Sequence, residues 1–292
     1  MVADESVQDM QIAEAQPGDV VIRHRRSTRI WHWVNALALL ILLMSGLMIF
    51  NAHPRLYWGQ KGADADKAWL VIGAERGAGY VQLGDAKINT AGILGNYVDG
   101  DGQAKERAFP YWATIPSNYN LSTARLWHFA FAWILSLALL FYMLRSLWNG
   151  HIFKDLHIKL AQWSPRNIWH DIKEHAQLRF PQGAEALHYG ILQKLSYVGV
   201  IFILIPLMIF TGLTMSPGMG AAWPWLFDLF GGRQSARSIH FIVAFALVAF
   251  FFVHMAMVIL AGPINEVRSI ITGRFRLPGK RVSGGLAEEQ PQ

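Results

Sequence analysis

Four long apolar segments dominate the hydropathy pattern of the chain. They run from Trp31 to Phe50, from Leu126 to Leu147, from Leu195 to Leu213 and from Ile239 to Ala261. Each is close to the length of about 20 mostly apolar residues that a helix needs to cross a bilayer. Apart from histidines, the first ionisable side chain inside them is Arg145, near the end of the second segment. The pattern predicts an all-α membrane protein, a bundle of four transmembrane helices with a long outer loop and an amphipathic helix in the inner loop.

Proline and glycine positions refine these helices. Pro206 lies inside the third segment and should kink it, which a helix packed among neighbours tolerates. The Gly262-Pro263 pair should end the fourth helix. In the inner loop, Ser164-Pro165 is typical of a helix start. Four apolar residues then fall on one face, which predicts a helix lying at the membrane surface: Ile168, Trp169, Ile172 and Ala176.

Lysines and arginines in the connecting segments predict the orientation. They cluster just before the first segment, in the loop 148–194 and after Pro263. The positive-inside rule therefore places both termini and that loop in the cytoplasm, and the loops 51–125 and 214–238 outside. Residues 1–22 are polar and should form a tail without a cleavable signal peptide, so the first span would direct insertion. In a bacterium this is the inner membrane.

The outer loop 51–125 is too short for a catalytic domain and is expected to be a cap that seats a partner. Its segments Tyr80–Leu83 and Ala86–Asn89 flank Gly84-Asp85, a pattern that predicts a hairpin.

Composition narrows the function further. Only 16% of residues are charged, against about a quarter in soluble domains, which argues against an ordinary soluble enzyme. The chain has no cysteine, which excludes disulfides, cysteine-bound zinc or iron–sulfur clusters and covalently attached c-type haem. The net charge of +6 is explained by the membrane orientation, so no nucleic-acid partner is expected.

Four histidines lie in the apolar segments, where ionisable residues are costly and usually functional. His240 and His254 share the fourth span, and a spacing of 14 residues puts them on nearly the same face, about 21 Å apart along the axis. His128 lies near the start of the second span, on the outer side, and His32 lies near the start of the first span, on the inner side. Depth therefore pairs His128 with His240 and His32 with His254.

Two stacked histidine pairs in a four-helix bundle are what two b-type haems require, because neutral imidazole is a good axial ligand of haem iron. A single intramembrane histidine can also serve as a hydrogen-bond partner between helices. A proton relay is a further alternative, although relays usually include Asp or Glu, which these spans lack. The other seven histidines, among them His24 and His53, are expected to be solvated.

An arginine precedes three of these histidines by three residues, one helical turn away. These arginines are Arg29, Arg125 and Arg237. At that distance a guanidinium can reach a haem propionate with a bidentate contact. The alternative is an arginine that anchors the helix at the membrane edge.

These residues resemble those of a known family. The chain is similar to the di-haem cytochrome b membrane subunits of nickel–iron hydrogenases, formate dehydrogenases and thiosulfate-reductase-type enzymes. The resemblance rests on short motifs across all four spans: Arg29-Ile-Trp-His32-Trp-Val-Asn35, Arg125-Leu-Trp-His128, Leu192-Gln193-Lys194-Leu195, Thr211-Gly212-Leu213-Thr214-Met215-Ser216-Pro217 and the His240/His254 pair. It implies that the four histidines ligate two haems b within a domain 23–275, followed by a cytoplasmic tail 276–292.

The resemblance also implies partners. Members of the family anchor a peripheral redox enzyme and exchange electrons with membrane quinone. By analogy with the formate dehydrogenase members, quinone would bind near His254, with Asn35, Gln193 and Lys194 as polar contacts. The longer outer loop is more similar to a subgroup thought to serve periplasmic molybdenum-cofactor oxidoreductases, which predicts such a partner.

The sequence is also compatible with other functions. A stand-alone quinone-linked cytochrome could act on a small molecule such as superoxide at its outer face. A haem-free four-span transporter or assembly factor would need broken helices or polar residues at the midplane, for which Pro206 and Gly212 are hints. A structural anchor would bind haem without being reduced by quinol.

Overall fold

The computed structural model describes residues 16, 18–63, 66–148, 164–177 and 191–277. Four of its helices are long and apolar enough to span a membrane. In chain order the helices are α1 (Arg26–Phe50), α2 (Leu121–Trp148), α3 (Pro165–Ala176), α4 (Ile191–Met215), α5 (Pro217–Ala222), α6 (Trp225–Leu229), α7 (Arg233–Ala261) and α8 (Pro263–Thr272). The predicted fold class is confirmed, with α1, α2, α4 and α7 as the four spans.

The spanning helices extend beyond the apolar segments. The helix α1 begins five residues before Trp31, and α7 begins six residues before Ile239. Hydropathy detects only the part of a helix that lies in hydrocarbon, whereas the helical backbone continues through polar end turns. The predicted inner-loop helix is present as α3.

A π-helical stretch precedes Pro206, the residue at which the sequence predicts a kink. Residues Gly199–Leu204 of α4 are π-helical, and α-helical geometry resumes at Ile205. A proline has no N–H to donate to the carbonyl four residues earlier. Bonding between residues i and i+5 passes over that missing donor, which explains why the wider turn precedes Pro206.

The fourth span ends as predicted. Ala261 is its last residue, and Gly262 follows with φ of 112°, in the left-handed region that favours glycine. The chain then forms α8, which the sequence analysis did not predict because a proline after a helix end was interpreted only as a stop. Proline is equally compatible with the first turn of a new helix.

The strands are β1 (Val20–Ile22), β2 (Arg55–Leu56), β3 (Leu70–Glu75), β4 (Ala78–Leu83), β5 (Ala86–Asn89), β6 (Tyr97–Val98), β7 (Ala104–Lys105) and β8 (Arg274–Arg276). The predicted hairpin is confirmed as β4 and β5, with Leu83 paired to Ala86. Gly84 in the two-residue turn has φ of 59°, which suits a first turn position reserved for glycine. This hairpin belongs to a four-stranded antiparallel sheet in the order β2-β3-β4-β5.

The chain divides into two compact units. The first unit draws on Met1–His32, Ile152–Tyr197 and Phe252–Gln292, and the second unit comprises Trp33–His151 and Val198–Phe251. In the second unit, the end of α1 packs against the sheet through a core of buried apolar side chains: Phe50, Leu56, Leu70, Ile72, Ala108 and Phe109.

In the first unit, β1 pairs with β8 across more than 250 residues of sequence. Val21 and Phe275 form a small buried cluster with Leu277. Arg23 contacts both carboxylate oxygens of Glu266 in α8, at 3.0 and 3.1 Å, and its guanidinium lies 4.5 Å from the Phe275 ring centre. These contacts tie the residues before α1 to those after α7.

Candidate haem-binding sites

The first histidine pair lies in the second unit, between α2 and α7. The ring centroids of His128 and His240 are 6.3 Å apart, and the ring planes are tilted by 59°. Hydrogen bonds and ring contacts also join α1 to α2, α4 to α7 and α1 to α7. All four spanning helices therefore contribute to the surroundings of this pair.

Two hydroxyl groups hold the rings of this pair. Ser45 Oγ lies 2.7 Å from the carbonyl oxygen of Ile41 and 3.0 Å from Nδ1 of His128. A hydroxyl has one proton and a carbonyl can only accept, so Ser45 donates to Ile41 and accepts from the Nδ1–H of His128. The Nε2 atom of His128 then has a lone pair available for a metal ion.

The partner ring is held in the same way. Thr211 Oγ1 lies 2.6 Å from the carbonyl oxygen of Leu207 and 3.0 Å from Nδ1 of His240. The same proton count gives His240 an Nδ1–H and a free Nε2 lone pair. A hydrogen bond at one ring nitrogen that leaves the other for the metal is the usual arrangement of histidine ligands.

A glycine follows each of these hydroxyl residues and lies against the ring. A Cβ atom on Gly46 would be 3.3 Å from Cε1 of His128, and one on Gly212 would be 3.4 Å from Cε1 of His240. The two glycines thus let α1 and α4 pack directly against the imidazoles. A larger side chain at either position would displace the ring. Ser45-Gly46 and Thr211-Gly212 are a repeated device that the sequence analysis did not assign to the histidines.

The second histidine pair lies in the first unit. His32 near the start of α1 and His254 in α7 have ring centroids 6.4 Å apart, with planes tilted by 51°. The structure thus brings together both pairs that helix depth predicted. His240 and His254 lie on the single continuous helix α7.

Both separations fit a shared metal ion. With a metal–nitrogen distance of about 2.0 Å and a nitrogen about 1.1 Å from its ring centre, two imidazoles on opposite sides of one ion have centroids about 6.2 Å apart. Among the described residues, no group of three or more histidine, cysteine or acidic side chains could hold a metal ion. A haem needs only the pair, because the porphyrin supplies the other four nitrogens. The residues present therefore fit bis-histidine haem.

The three predicted propionate arginines have different surroundings. Arg29 donates to the carbonyl oxygen of Thr272 at 2.7 Å. Arg125 is exposed, and its guanidinium lies 5.8 Å from the ring centre of Phe129. Arg237 donates to the carbonyl oxygens of His53 and, at 3.1 Å, of Arg55. Arg237 thus holds the start of the outer loop, and the propionate role of all three stays a prediction.

Further contacts hold the outer loop against the start of α7. Ser235 Oγ accepts from the backbone N–H of Gly59 at 2.7 Å. Ser238 donates to the carbonyl oxygen of Tyr57 at 2.5 Å and accepts from Nε1 of Trp69 at 2.9 Å. Ser235 and Ser238 lie three residues apart in the polar first turns of α7, and two small hydroxyl residues on one helix face are the signal that could have indicated this contact surface.

The predicted quinone residues are distributed over both units. Gln193 and Lys194 are half-buried in the first unit, which also contains His32 and His254, and Gln193 Nε2 donates to the Tyr197 hydroxyl at 2.9 Å. Asn35 is buried in the second unit. Their role in binding quinone stays a prediction.

The expectation that the loop histidines are solvated is wrong for two of them. His24, before α1, is half-buried, and burial together with the positive charge of Arg23 lowers the pKa of His24 from 6.5 to about 4. His53 is also half-buried, and its ring stacks on Tyr57 at 5.8 Å. His170 in α3 is exposed, as expected.

Four membrane spans with facing histidine pairs define the class of membrane b-type cytochromes. The family model of prokaryotic cytochrome b561 matches residues 23–273, and the chain belongs to that family. This confirms the resemblance to membrane cytochrome b subunits, and the family implies a b-type haem.

The chain is 27% identical over 236 residues to the putative protein-methionine-sulfoxide reductase subunit YedZ1 of Azospira oryzae, covering 80% of this chain and 87% of that protein. No solved structure matches the chain significantly.

Proposed function

We propose that this protein is a transmembrane electron carrier that binds two haems b and links the quinone pool to a redox partner outside the membrane. The observation that carries the proposal is the separation within both histidine pairs, 6.3 and 6.4 Å between ring centroids, close to that of imidazoles sharing one metal ion. When bound, each haem supplies a one-electron iron couple.

The side chains of the chain have distinct roles in this proposal. His128 with His240 would hold the iron of one haem, and His32 with His254 that of the other. Ser45 would hold the Nδ1–H tautomer of His128, as Thr211 would for His240. Arg29, Arg125 and Arg237 would be close enough in sequence to the ligands to neutralise propionates, with Arg237 also holding the outer loop.

Quinone exchange is proposed at the side of the membrane where α1 begins. Gln193 and Lys194 lie in the same unit as His32 and His254, which supports a site there, and Asn35 is the third candidate. Amide and ammonium groups can donate hydrogen bonds to quinone carbonyls and move protons when the quinone is reduced or oxidised. We place the chain in a bacterial inner membrane with both termini cytoplasmic.

The relative's name supports the nature of the partner. YedZ1 is named as a subunit of a reductase, and a reductase consumes electrons. We therefore propose that electrons leave quinol and pass outward to a periplasmic molybdenum-cofactor oxidoreductase seated on the outer loop. The four-stranded sheet in that loop leaves apolar side chains such as Leu83 and Ile88 exposed, which suits a protein contact.

The first experiment counts haem in the full-length protein purified in detergent and follows its reduction by a soluble quinol. Two haems b per chain, reduced by the quinol, would support the proposal. A well-folded colourless protein would contradict it and favour the transporter alternative. Haem that quinol cannot reduce would indicate a structural anchor. Copurification of a molybdenum-containing protein would support the proposed partner. Rapid oxidation of the reduced haems by superoxide, without any partner protein, would favour the stand-alone cytochrome.

A further inference from the structure

The small sheet of β1 and β8 has two unlike faces. Val21 and Phe275 are buried on one face, and the register pairs Val20 with Arg276 and Ile22 with Arg274 on the other. Directly paired residues of an antiparallel sheet lie on the same face. The exposed face therefore presents two aliphatic side chains, 50% and 53% exposed, beside two arginines.

Helix α8 continues this surface. Ile264, Val267 and Ile271 recur at helical spacing along one side and are 84%, 41% and 52% exposed. The opposite side packs inward, since Ser269 is fully buried and Glu266 is paired with Arg23. Arg268 and Thr272 border the apolar stripe.

An arginine-lined recess joins the helix to the sheet. It is lined by Val20, Arg268, Thr272 and Arg274, with a volume of about 520 Å³. The acidic residue of α8, Glu266, is already neutralised by Arg23. The Thr272 hydroxyl donates its proton to the carbonyl oxygen of Arg268 at 2.7 Å, so the groups left for an anion are the two guanidiniums. Two guanidinium groups next to exposed aliphatic side chains suit a phosphate group carried on an acyl chain.

Chain connectivity puts this surface at the membrane. The strand β1 ends four residues before α1 begins, and α8 starts two residues after α7 ends. Both spanning helices therefore reach the bilayer surface within a few residues of the recess. An aliphatic stripe bordered by arginines at that position is typical of a segment that lies in the headgroup region and binds anionic lipid.

We propose that α8 and the exposed face of the β1–β8 sheet form an anionic phospholipid site, in which Arg268 and Arg274 bind the headgroup phosphate and Ile264, Val267 and Ile271 enter the acyl-chain boundary. Arg268 and Arg274 are not among the proposed haem or quinone residues, so the proposal does not depend on the proposed electron transfer.

Lipid binding is tested on the delipidated full-length holoprotein by native mass spectrometry, with phosphatidylglycerol and phosphatidylcholine of matched chains. The double variant Arg268→Gln/Arg274→Gln should lose affinity for phosphatidylglycerol by about thirtyfold. Each arginine near an anionic headgroup contributes about fivefold to the affinity, so the loss of two gives this factor. The control Arg25→Gln/Arg26→Gln removes the same charge on the same side but outside the recess and should lose far less. Unchanged haem content verifies folding.

Equal affinity of the wild type for the two lipids, or equal losses in both double variants, would overturn the site. So would saturation of the recess by inorganic phosphate with no preference for lipid, since the occupant would then be a free anion.

The absence of cysteine allows a second test by single spin labels in liposomes. Labels at Ile264→Cys and Ile271→Cys should be accessible to oxygen and protected from a water-soluble nickel relaxant. The control Ile88→Cys, on the exposed strand β5, should show the reverse. Labels at Ile264→Cys and Ile271→Cys that are accessible to the nickel relaxant and protected from oxygen would refute membrane insertion of α8.

Discussion

The Oγ atom of Ser45 in α1 lies 3.0 Å from Nδ1 of His128 in α2, and this contact, together with a hydrogen bond from the ring to the backbone of Leu42, leaves Nε2 as the nitrogen that can bind a metal. Thr211 and His240 repeat it at the same distance. The rings are thus prepared for ligation by groups on two other helices. Preorganised ligands of this kind raise metal affinity and tune reduction potential.

Removing the Ser45 hydroxyl should weaken the haem held by His128. We expect Ser45→Ala to lose about 10- to 100-fold in haem affinity at one of the two sites, with an altered midpoint potential for that haem. Transfer of haem to apomyoglobin and a redox titration measure both quantities. The control is Ser136→Ala, because Ser136 donates to Ala132 within α2. Identical behaviour of the two variants would contradict the role of Ser45.

Enlarging Gly46 should displace the His128 ring. A Cβ at this position would already be 3.3 Å from Cε1, so the branched side chain of Gly46→Val must push the imidazole away. The expected result is a loss of about one haem per chain in the purified protein. Gly199→Val is the control, since a Cβ at that position would meet no atom within 4 Å apart from its chain neighbours and the backbone of its own helix. Full haem content in Gly46→Val would show that the ring does not need this space.

Arg237 offers a test that separates scaffolding from haem binding. Arg237→Gln removes the donors to the carbonyls of His53 and Arg55, which should cost about 1–3 kcal/mol and lower the thermal unfolding midpoint by several degrees. The exposed Arg125→Gln should leave the midpoint nearly unchanged. If Arg237→Gln loses haem with no change in stability, its main role is the propionate and not the loop.

His24 should make stability depend on pH. Its pKa of about 4 in the folded protein lies below the ordinary 6.5, so the unfolded chain binds more protons between these values. The contribution of neutral His24 to the free energy of unfolding is therefore complete above pH 6.5, and it is lost as the pH falls toward 4. Thermal unfolding of His24→Gln should show a weaker decline over this range than the wild type. The exposed His170→Gln is the control, and a decline unchanged in His24→Gln would exclude His24 as its source.

Local patterns in the sequence account for much of this structure. The spans follow from hydropathy, because a bilayer imposes one length and one composition on every helix that crosses it. The pairing of His128 with His240 follows from helix geometry, since residues at equal depth in a bundle can meet. The β4–β5 hairpin follows from its two-residue turn.

The missing features depend on contacts between distant segments. The pairing of β1 with β8 joins residues more than 250 positions apart, and strands of two or three residues are too short for any periodicity to show. The roles of Ser45 and Thr211 become visible only when α1 meets α2 and α4 meets α7. Even so, a hydroxyl residue followed by glycine inside two apolar spans was a signal that helix-packing arguments could have used.

The measurement that tests the central claim most directly is the haem content of single and double histidine variants. Two ligands of one haem should not act independently, so His128→Ala, His240→Ala and the double variant should each lose the same one haem. His32→Ala and His254→Ala should lose the other, and His128→Ala combined with His254→Ala should lose both. The control His170→Ala should retain both. A double variant of one pair that loses more haem than either of its single variants would contradict the two bis-histidine sites. So would full haem content in any single variant of the four histidines.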